Sequence, residues 1–391
     1  MKKRLIPILG LVLVMLFCAL SLVACGNEQT PHTHEFTRKE TLDEYVKTEA
    51  DCENAGVYYY SCACGEKGEE TFTGTAKGHR YEESVCKFCK KINYAEGLTY
   101  KLINNDTEYE IASVGSCSQT TIYIPETFNG KSITSIGYGA FNECTFLNSV
   151  IIPNSVTKIG DRAFHKCNGL ISVAIPNSVK SIADRAFAAC SSLTNVVIPD
   201  SVTSIGSMAF YKCDGLTSMV IPDSVISIGT SAFAFCGLLT SVVMSKSVKI
   251  IEEATFNSCK LLTSIVIPNN VERIDVNAFY NCIKLESVVM AEGVKSIGEG
   301  AFSKCSSLTS VVIPKGVTDI GDSAFSSCKS LTSVVIPDSV ESIGEEAFLE
   351  CPSLISVNYC GGKEQWQAIS KGVEWDDEDS NYTITYNYVG E

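Results

Sequence analysis

The chain has 391 residues and is acidic, with 45 Asp and Glu against 31 Lys and Arg and a formal net charge of −14. Because Lys and Arg supply most contacts to nucleic-acid phosphates, this balance argues against DNA or RNA as a partner. An acidic surface instead suits a soluble, displayed domain. Most of the 19 cysteines fall into two sets, one clustered near the amino end and one evenly spaced through the rest of the chain.

Residues 1–24 predict an export signal. Residues 2–4 are basic, and the apolar run that follows is too short to span a membrane. The run ends at 22–26 in Leu-Val-Ala-Cys-Gly, which resembles the lipobox of bacterial lipoproteins. The resemblance implies cleavage before Cys25, attachment of lipid to its thiol, and a polar tether over 25–33. The alternative is an ordinary secretion signal that is cleaved nearby.

Residues 34–92 predict a small module rich in cysteine and histidine. The segment has too little apolar content to fold on a hydrophobic core alone, so a metal or disulfide bonds must hold it. Cys86 and Cys89 have the Cys-x-x-Cys spacing of zinc sites, and Cys62 and Cys64 form a tighter pair. The pattern resembles small Cys/His-rich modules of exported bacterial repeat proteins, which usually carry Cys-x-x-Cys at the first pair as well.

Two kinds of cross-link are considered for this module, and the third alternative is that its cysteines and histidines form no cross-link. The favoured one is a structural zinc ion, with thiolate ligands from Cys62, Cys64, Cys86 and Cys89. Substitute ligands from the same module are His34, Cys52 and His79. The second is a set of disulfide bonds, which exported proteins form readily. A zinc ion that is coordinated by four cysteine sulfur atoms is structural, because no coordination position remains for a substrate.

Residues 133–356 carry ten consecutive repeats, whose cysteines recur every 23 residues without insertions. Each repeat contains Ala-Phe-x-x-Cys, with threonine for alanine once. The cysteines of this column are Cys144, Cys167, Cys190, Cys213, Cys236, Cys259, Cys282, Cys305, Cys328 and Cys351. A constant period of this kind predicts a solenoid, because one repeat cannot bury its own apolar residues and neighbouring coils must stack to form the core.

One repeat predicts two strands and a turn. The β-branched run 310–313 is closed by Pro314, which predicts a strand, and a second strand is predicted at 317–320. Gly321 is expected to take a positive φ, and 322–328 one helical or 3-10 turn. Equivalent strands of neighbouring coils are expected to pair in parallel, about 4.8 Å apart.

The repeat pattern resembles that of a known family. The phrase Ile-Pro-x-Ser-Val-x-x-Ile-Gly-x-x-Ala-Phe-x-x-Cys-x-x-Leu-x-x-Val, as at 198–220, resembles the leucine-rich repeats of BspA-type (Treponema-pallidum-type) bacterial surface proteins. The similarity extends over residues 98–388. It implies a repeat solenoid that is mainly β, a right-handed leucine-rich-repeat stack with a parallel sheet and short helical or 3-10 turns. It also implies caps at 98–132 and 357–391, the second with Trp366 in its core.

The cysteine column has two interpretations. Free cysteines pack well as small buried apolar side chains. The alternative is disulfide bonds between neighbouring coils, but Cβ atoms stacked about 4.8 Å apart lie beyond usual disulfide geometry.

Alternation along the first strand of each repeat predicts an outward row of serines and an outward row of valines. The candidate binding surface consists of Ser218, Val220, Val243, Val266, Val289, Val312 and Val335. If nothing covers these residues, a long apolar stripe on an exported protein marks a contact surface. The alternative is that valine only supports strand formation and neighbouring loops cover it.

The chain is not expected to be an enzyme, since it has no nucleophile elbow, phosphate loop, His-Glu-x-x-His or glycine fingerprint. It is predicted to be a lipid-anchored protein of the bacterial surface that binds an extracellular protein or glycan, as an adhesin or host-interaction factor. The alternative is a structural spacer or self-assembling envelope scaffold. A catalytic carboxyl tail acting on carbohydrate is a third, weaker hypothesis, because that tail is too short for an independent domain.

Overall fold

The computed structural model describes residues 94–376 and 382–389, and five strands nearer the amino end. These strands are β1 (Val46–Thr48), β2 (Ala55–Ser61), β3 (Lys67–Ala76), β4 (Tyr81–Glu82) and β5 (Val85–Cys86). The first three form an antiparallel sheet in the order β1-β2-β3, and β4 pairs with β5. The chain divides into two compact units, residues 1–82 with 86–91 and residues 83–85 with 92–391.

The second unit opens with a group of strands that differ from the later pattern. They are β6 (Thr99–Ile103), β7 (Glu108–Ser113), β8 (Thr121–Tyr123), β9 (Thr127–Phe128) and β10 (Lys131–Ile136). β6 pairs with β7 as an antiparallel hairpin, and β7 then pairs in parallel with β10. The hairpin therefore closes one end of a parallel stack.

Each later coil contributes two short strands. The first strands of the coils are β11 (Ser149–Ile151), β13 (Ser172–Ala174), β15 (Asn195–Val197), β17 (Ser218–Val220), β19 (Ser241–Val243), β21 (Ser264–Ile267), β23 (Ser287–Met290), β25 (Ser310–Val312), β27 (Ser333–Ile336), β29 (Ser356–Tyr359) and β31 (Thr383–Thr385). The second strands are β12 (Lys158–Ile159), β14 (Ser181–Ile182), β16 (Ser204–Ile205), β18 (Ser227–Ile228), β20 (Ile250–Ile251), β22 (Arg273–Ile274), β24 (Ser296–Ile297), β26 (Asp319–Ile320), β28 (Ser342–Ile343) and β30 (Ser370–Lys371). A helix, α1 (Lys363–Ala368), lies near the carboxyl end. The predicted mainly β, parallel solenoid is confirmed.

The register between coils equals the sequence period. Val150 pairs with Val173, and Ile182 pairs with Ile205, each 23 positions on. Because equivalent residues pair directly in these parallel ladders, each side chain keeps its face of the strand, and every inward residue lies on its equivalent in the next coil. Near the carboxyl end the last strands join the same two series, with β31 beside β29 and β30 beside β28.

The core is a set of such columns, and its largest members are phenylalanines. Ten fully buried rings from Phe141 to Phe348 stack with centroids 5.0–5.5 Å apart and planes within 12° of each other. Trp375 ends the column, edge-on to Phe348 at 6.3 Å and 84°. Trp366 is also buried, 5.1 Å from Tyr359, so it belongs to the cap core as the sequence predicted.

The turn of each repeat differs from the prediction. In place of a helical or 3-10 turn, two successive i to i+3 turns occur, with Ala324 N–H donating to Gly321 and Ser326 N–H donating to Ser323. The left-handed residues are Ser323 and Ser327, at φ 52° and 59°, and not Gly321. Their N–H groups donate to main-chain oxygens of the next coil, which offsets the cost of the conformation. This hydrogen bonding was not visible in the pattern of one repeat.

Gly321 is required for a different reason. A Cβ atom at this position would lie 2.6 Å from the main-chain nitrogen of Glu299 in the preceding coil. The glycine therefore permits close stacking of coils, and the expected positive φ at Gly321 is wrong.

The strand ladders are interrupted at several places. The first strands form separate ladders that break between β15 and β17, β19 and β21, and β23 and β25, whereas the second strands break between β18 and β20. Breaks on both series therefore flank the coil that carries β19 and β20. This coil also departs from the repeat pattern, with Ser245 in place of proline, Glu252 in place of glycine and Thr255 in place of alanine.

Candidate interaction surface

The outward valines of the first strands form an exposed row. In these strands the first and third residues face outward and the second is turned inward. The valine row, each member 58–68% exposed, consists of Val197, Val220, Val243, Val266, Val289 and Val312. Val197 was missed by the sequence analysis, and Val335, which was included there, is half-buried. Neighbouring loops thus leave the row open over six coils.

A polar strip borders one side of the valine row. Its serines, all exposed, are Ser218, Ser241, Ser264, Ser287 and Ser310. Next to them the hydroxyls of Thr240 and Thr263 donate to the main-chain oxygens of Thr217 and Thr240, at 2.9 and 3.4 Å. These hydroxyls bridge neighbouring coils and hold the strip in place, so the surface is regular and rigid.

Polar side chains border the other side, at the position that follows the proline, or its replacement, in each repeat. Most of these are acids or amides; Lys315 is one exception and Lys246 is the other. Its N–H donates to Asp223 Oδ1 at 2.9 Å, and its Nζ lies 3.7 Å from Oδ2 of the same carboxylate. The Lys246 side chain is 80% exposed. A surface pair of this kind is weak, so the ammonium group remains available to another anion.

A groove of ≈ 700 Å³ opens at the valine row between the coils of β19 and β21. Its residues are Val242, Val243, Met244, Lys246, Val266, Ile267, Pro268, Asn269, Asn270 and Ala291. The walls are mostly aliphatic, and the polar groups come from Lys246, Asn269 and Asn270, which follow the carboxyl ends of β19 and β21. A cavity of this size with few polar groups is typical of ligand pockets.

The cysteine column is buried and chemically quiet. Its thiols are free in the structure. Burial raises the pKa of Cys236 and of Cys282 to about 12, and it raises the pKa of Cys213 and Cys259 as well. Because thiolate is the reactive form, these residues are poor nucleophiles and metal ligands at neutral pH.

The predicted lipidation site and most of the predicted zinc ligands lie outside the described residues. The lipidation site is Cys25, and the ligands are His34, Cys52, Cys62, Cys64, His79 and Cys89. Cys86 lies in β5, and its side chain is not described. In residues 94–376 and 382–389, no group of three His, Cys, Asp or Glu side chains is arranged to hold a metal ion.

The acidic run that begins at Glu374 meets the carboxyl cap. In the part of the run that the structure describes, the Asp376 carboxylate accepts a hydrogen bond from the Tyr382 hydroxyl. Tyr382 belongs to the aromatic cluster around Trp375, at 6.2 Å. Asp376 therefore ties the tail to the cap.

The fold and the repeat pattern define a leucine-rich-repeat solenoid, a class that is in general a non-enzymatic scaffold. More narrowly, the chain belongs to the family described as BspA type leucine rich repeat region, whose model matches residues 112–239 and 226–355 in six copies. Repeats of this family suggest a role in protein interaction at the cell surface. Among the described residues, no helix has the length and apolarity needed to cross a bilayer.

Solved structures of bacterial repeat proteins are similar to this chain. A leucine-rich repeat protein from Bacteroides ovatus is 28% identical, with 75% of this chain and 81% of that one covered and a TM-score of 0.64. A leucine rich cell surface protein from Faecalibacterium prausnitzii is 29% identical over 71% and 97%, with a TM-score of 0.40. A T. pallidum leucine rich repeat protein is 26% identical over 56% and 91%, with a TM-score of 0.44. No curated protein sequence matches the chain.

Proposed function

We propose that this chain is a non-enzymatic binding protein of the bacterial cell surface, an adhesin or host-interaction factor that holds an extracellular ligand on the valine row. The observation that carries this proposal is the exposure of six valines, each 58–68%, on one regular parallel sheet. Complete burial of one valine side chain is worth about 1.5–3 kcal/mol, so a ligand that covers several of them gains substantially even from partial burial.

The chemistry of the row favours protein over glycan. Valine offers no hydrogen-bond partner, and a sugar hydroxyl pressed against it would lose water without replacement, at about 1–3 kcal/mol for each group. Apolar side chains of a protein segment meet no such penalty. We therefore place a protein ligand first and keep a glycan as the second ligand class.

The size of the row indicates a modest contact. Six coils about 4.8 Å apart and strands of three residues give a patch about 25 Å by about 10 Å. Stable interfaces bury about 800 Å² on each partner, which is several times more. A single contact on the row is thus expected to be weak, and many copies on one cell surface would raise its strength through avidity.

The amino-terminal segments support display of the solenoid. We propose that Cys25 carries a lipid that anchors the chain to the membrane, on the strength of the lipobox at 22–26. We also propose a structural zinc ion in the module at 34–92, because four of its five cysteines pair at short spacings. An acidic chain with these parts is not expected to bind nucleic acid.

The test is binding of the soluble chain from Gly26 onward to immobilised extracellular-matrix proteins and to glycans, by biolayer interferometry. Val220→Glu is expected to weaken binding of a ligand that the wild type holds. Ile226→Glu is the matched control, since Ile226 is also an aliphatic residue and is 64% exposed outside the valine row. Equal binding by both variants would exclude the row as the ligand site.

One observation favours the second candidate, a self-assembling scaffold. Two copies of this chain have the same spacing between coils, so their valine rows can mesh along the whole length. Sedimentation velocity tests it: self-association that Val220→Glu removes and Ile226→Glu keeps would support assembly through the row. A monomer at all concentrations would leave the ligand-binding proposal as the one to pursue.

A further inference from the structure

A periodic surface has a difficulty as a binding site. Five of the six valines follow each other on strands of nearly the same sequence, and a ligand moved along by one coil meets almost the same contacts. The row alone therefore offers a partner several equivalent positions. A feature that occurs at one place on the row would remove this ambiguity.

The groove between the coils of β19 and β21 is such a feature, and its cause lies in the sequence. Proline closes the first strand in seven of nine repeats, and Ser245 and Ala291 replace it in the other two. These two positions lie on either side of Pro268, which lines the groove. Ala291 is too small to fill the space that a proline ring takes in other coils.

The second replacement also leaves the groove open. Ser245 is buried, and its hydroxyl donates to the main-chain oxygen of Val225 in the preceding coil at 2.7 Å. The side chain is therefore turned toward that coil, and it does not line the groove.

The groove reaches the core of the solenoid. Val242 lies in its wall and is half-buried, whereas the residues at the same position of the neighbouring coils, Met219 and Ile265, are each 2% exposed. The ladder between β19 and β21 is absent at this place. A side chain of a partner can thus contact aliphatic groups that every neighbouring coil keeps buried.

The polar end of the groove indicates what accompanies that side chain. Lys246 keeps an exposed ammonium group there, and the acid nearest to it, Asp223, already accepts the Lys246 main-chain N–H. Asn269 and Asn270 are exposed and carry amides that both donate and accept hydrogen bonds. These groups suit the main chain of an extended segment and one carboxylate.

We propose that this groove is the specificity pocket of the valine row, and that it binds a large apolar side chain of an extended protein segment whose neighbouring acidic residue contacts Lys246. The inference rests on the proposed function and names its ligand class. Val243 and Val266 belong both to the groove and to the row, so a segment seated in the groove continues directly onto the row.

The experiment uses synthetic fluorescein-labelled octapeptides and the chain from Gly26 onward, with affinity from fluorescence anisotropy. The central residue is Leu, Phe, Ala or Ser, and its neighbour is Asp, Asn or Lys, on a Ser/Thr background. Leu and Phe are expected to bind at least about tenfold more tightly than Ser, and Asp several-fold more tightly than Lys. A tenfold change corresponds to about 1.4 kcal/mol.

Variants then locate the site. Ala291→Pro restores the residue of seven other repeats, and Ala291→Phe fills the groove without removing an N–H. Both are expected to abolish the preference for Leu and Phe, and Lys246→Gln to abolish only the preference for Asp. Circular dichroism and thermal melting establish that each variant is folded. If Ala291→Pro does not fold, Ala291→Phe provides the test of the groove.

Each outcome distinguishes binding in the groove from binding on the valine row. Peptide binding that ignores the groove variants but is lost in Val312→Glu would overturn the pocket and leave the valine row as the binding surface. No difference between Leu and Ser peptides, or no binding of either, would also overturn the pocket. The ligand array with Val220→Glu and Ile226→Glu then decides the proposed function separately.

Discussion

The thiol of Cys282 donates a hydrogen bond to the main-chain oxygen of Phe256 in the preceding coil, over 3.2 Å. The same oxygen accepts the main-chain N–H of Cys259 at 3.2 Å, so both of its lone pairs are used. The bond recurs in every coil from Cys167 to Cys351, at 3.0–3.3 Å. The cysteine at this position is therefore an apolar core residue that also carries a weak donor.

The first prediction concerns thiol reactivity. Alkylation of the native protein with iodoacetamide is expected to spare Cys167–Cys351 of the column, because they are buried and protonated. Cys360, which is half-buried at the carboxyl cap, should react first among the solenoid thiols. Peptide mapping by mass spectrometry measures this. Rapid native labelling of Cys236 or Cys282 would contradict the buried column, and full labelling in denaturant is the control.

The second prediction concerns alkaline pH. Burial raises the pKa of Cys282 from 9.0 to about 12. Between these values the unfolded thiol loses its proton and the folded one keeps it, so the unfolded state binds fewer protons and stability falls as the pH rises. The contribution of this thiol to folding stability is fully present below pH 9. The urea midpoint of the wild type is expected to fall between pH 9 and about pH 11, and Cys282→Ala should fall less. Parallel curves would contradict the prediction.

The third prediction concerns the phenylalanine column. Phe256→Ala removes a fully buried ring between Phe233 and Phe279 and should lower the free energy of unfolding by about 3–5 kcal/mol. Phe256→Leu should cost less, since it keeps part of the volume. Ile226→Ala, at an exposed side chain, is the control and should change stability by less than about 0.5 kcal/mol. Urea unfolding followed by circular dichroism checks the order.

The fourth prediction contrasts two positions in one turn. Gly321→Ala places a Cβ atom 2.6 Å from Glu299 N and should destabilise the solenoid, because the obstacle is main chain. Ser323→Gly removes the cost of φ 52°, about 1–2 kcal/mol, and adds the chain entropy of glycine, about 0.5–1 kcal/mol. It should be neutral or stabilising by up to about 1.5 kcal/mol. Thermal melts that rank the two variants in the opposite order would refute this account of the turn.

The fifth prediction concerns the proposed zinc site. Protein from Gly26 onward is expected to contain one zinc ion per chain by elemental mass spectrometry. Cys62→Ser and Cys86→Ser should each lose it, and mild acid should release it, because the ligands must be thiolates. Cys117→Ser, in the solenoid, is the matched control. Zinc-free protein whose module thiols are oxidised would establish disulfide bonds instead.

The repeat period predicts the fold well because one number sets many contacts. A constant 23 residues with β-branched strands brings Val150 opposite Val173 and leaves no other register that buries the same face. The cap core at Trp366 followed from the resemblance of the carboxyl-terminal segment to the cap of this repeat family, and the buried ring agrees with it. The outward valines followed from alternation alone.

The turn and the groove were not predictable in the same way. The conformation of Ser323 depends on its N–H bonding to the next coil, which is a contact between repeats and not a property of one. The groove depends on Ser245 and Ala291 lying two coils apart. Both substitutions were visible in the sequence, but their common space appears only when the coils are stacked. The repeat pattern also predicts that Val335 is exposed like the other outward valines, whereas it is half-buried.

The repetition of the same contacts between neighbouring coils also determines how the chain can change in length. In each coil from Phe141 to Phe325 the phenylalanine N–H donates to a main-chain oxygen of the next coil, and the ring lies 5.0–5.5 Å from the next ring. A duplication or deletion of 23 residues therefore meets the same neighbours on both sides, whereas any other length shifts every column. Copy number alone then sets how far the carboxyl end of the solenoid stands from its first coil, and genes of this kind can lengthen or shorten their product one coil at a time without redesigning its core.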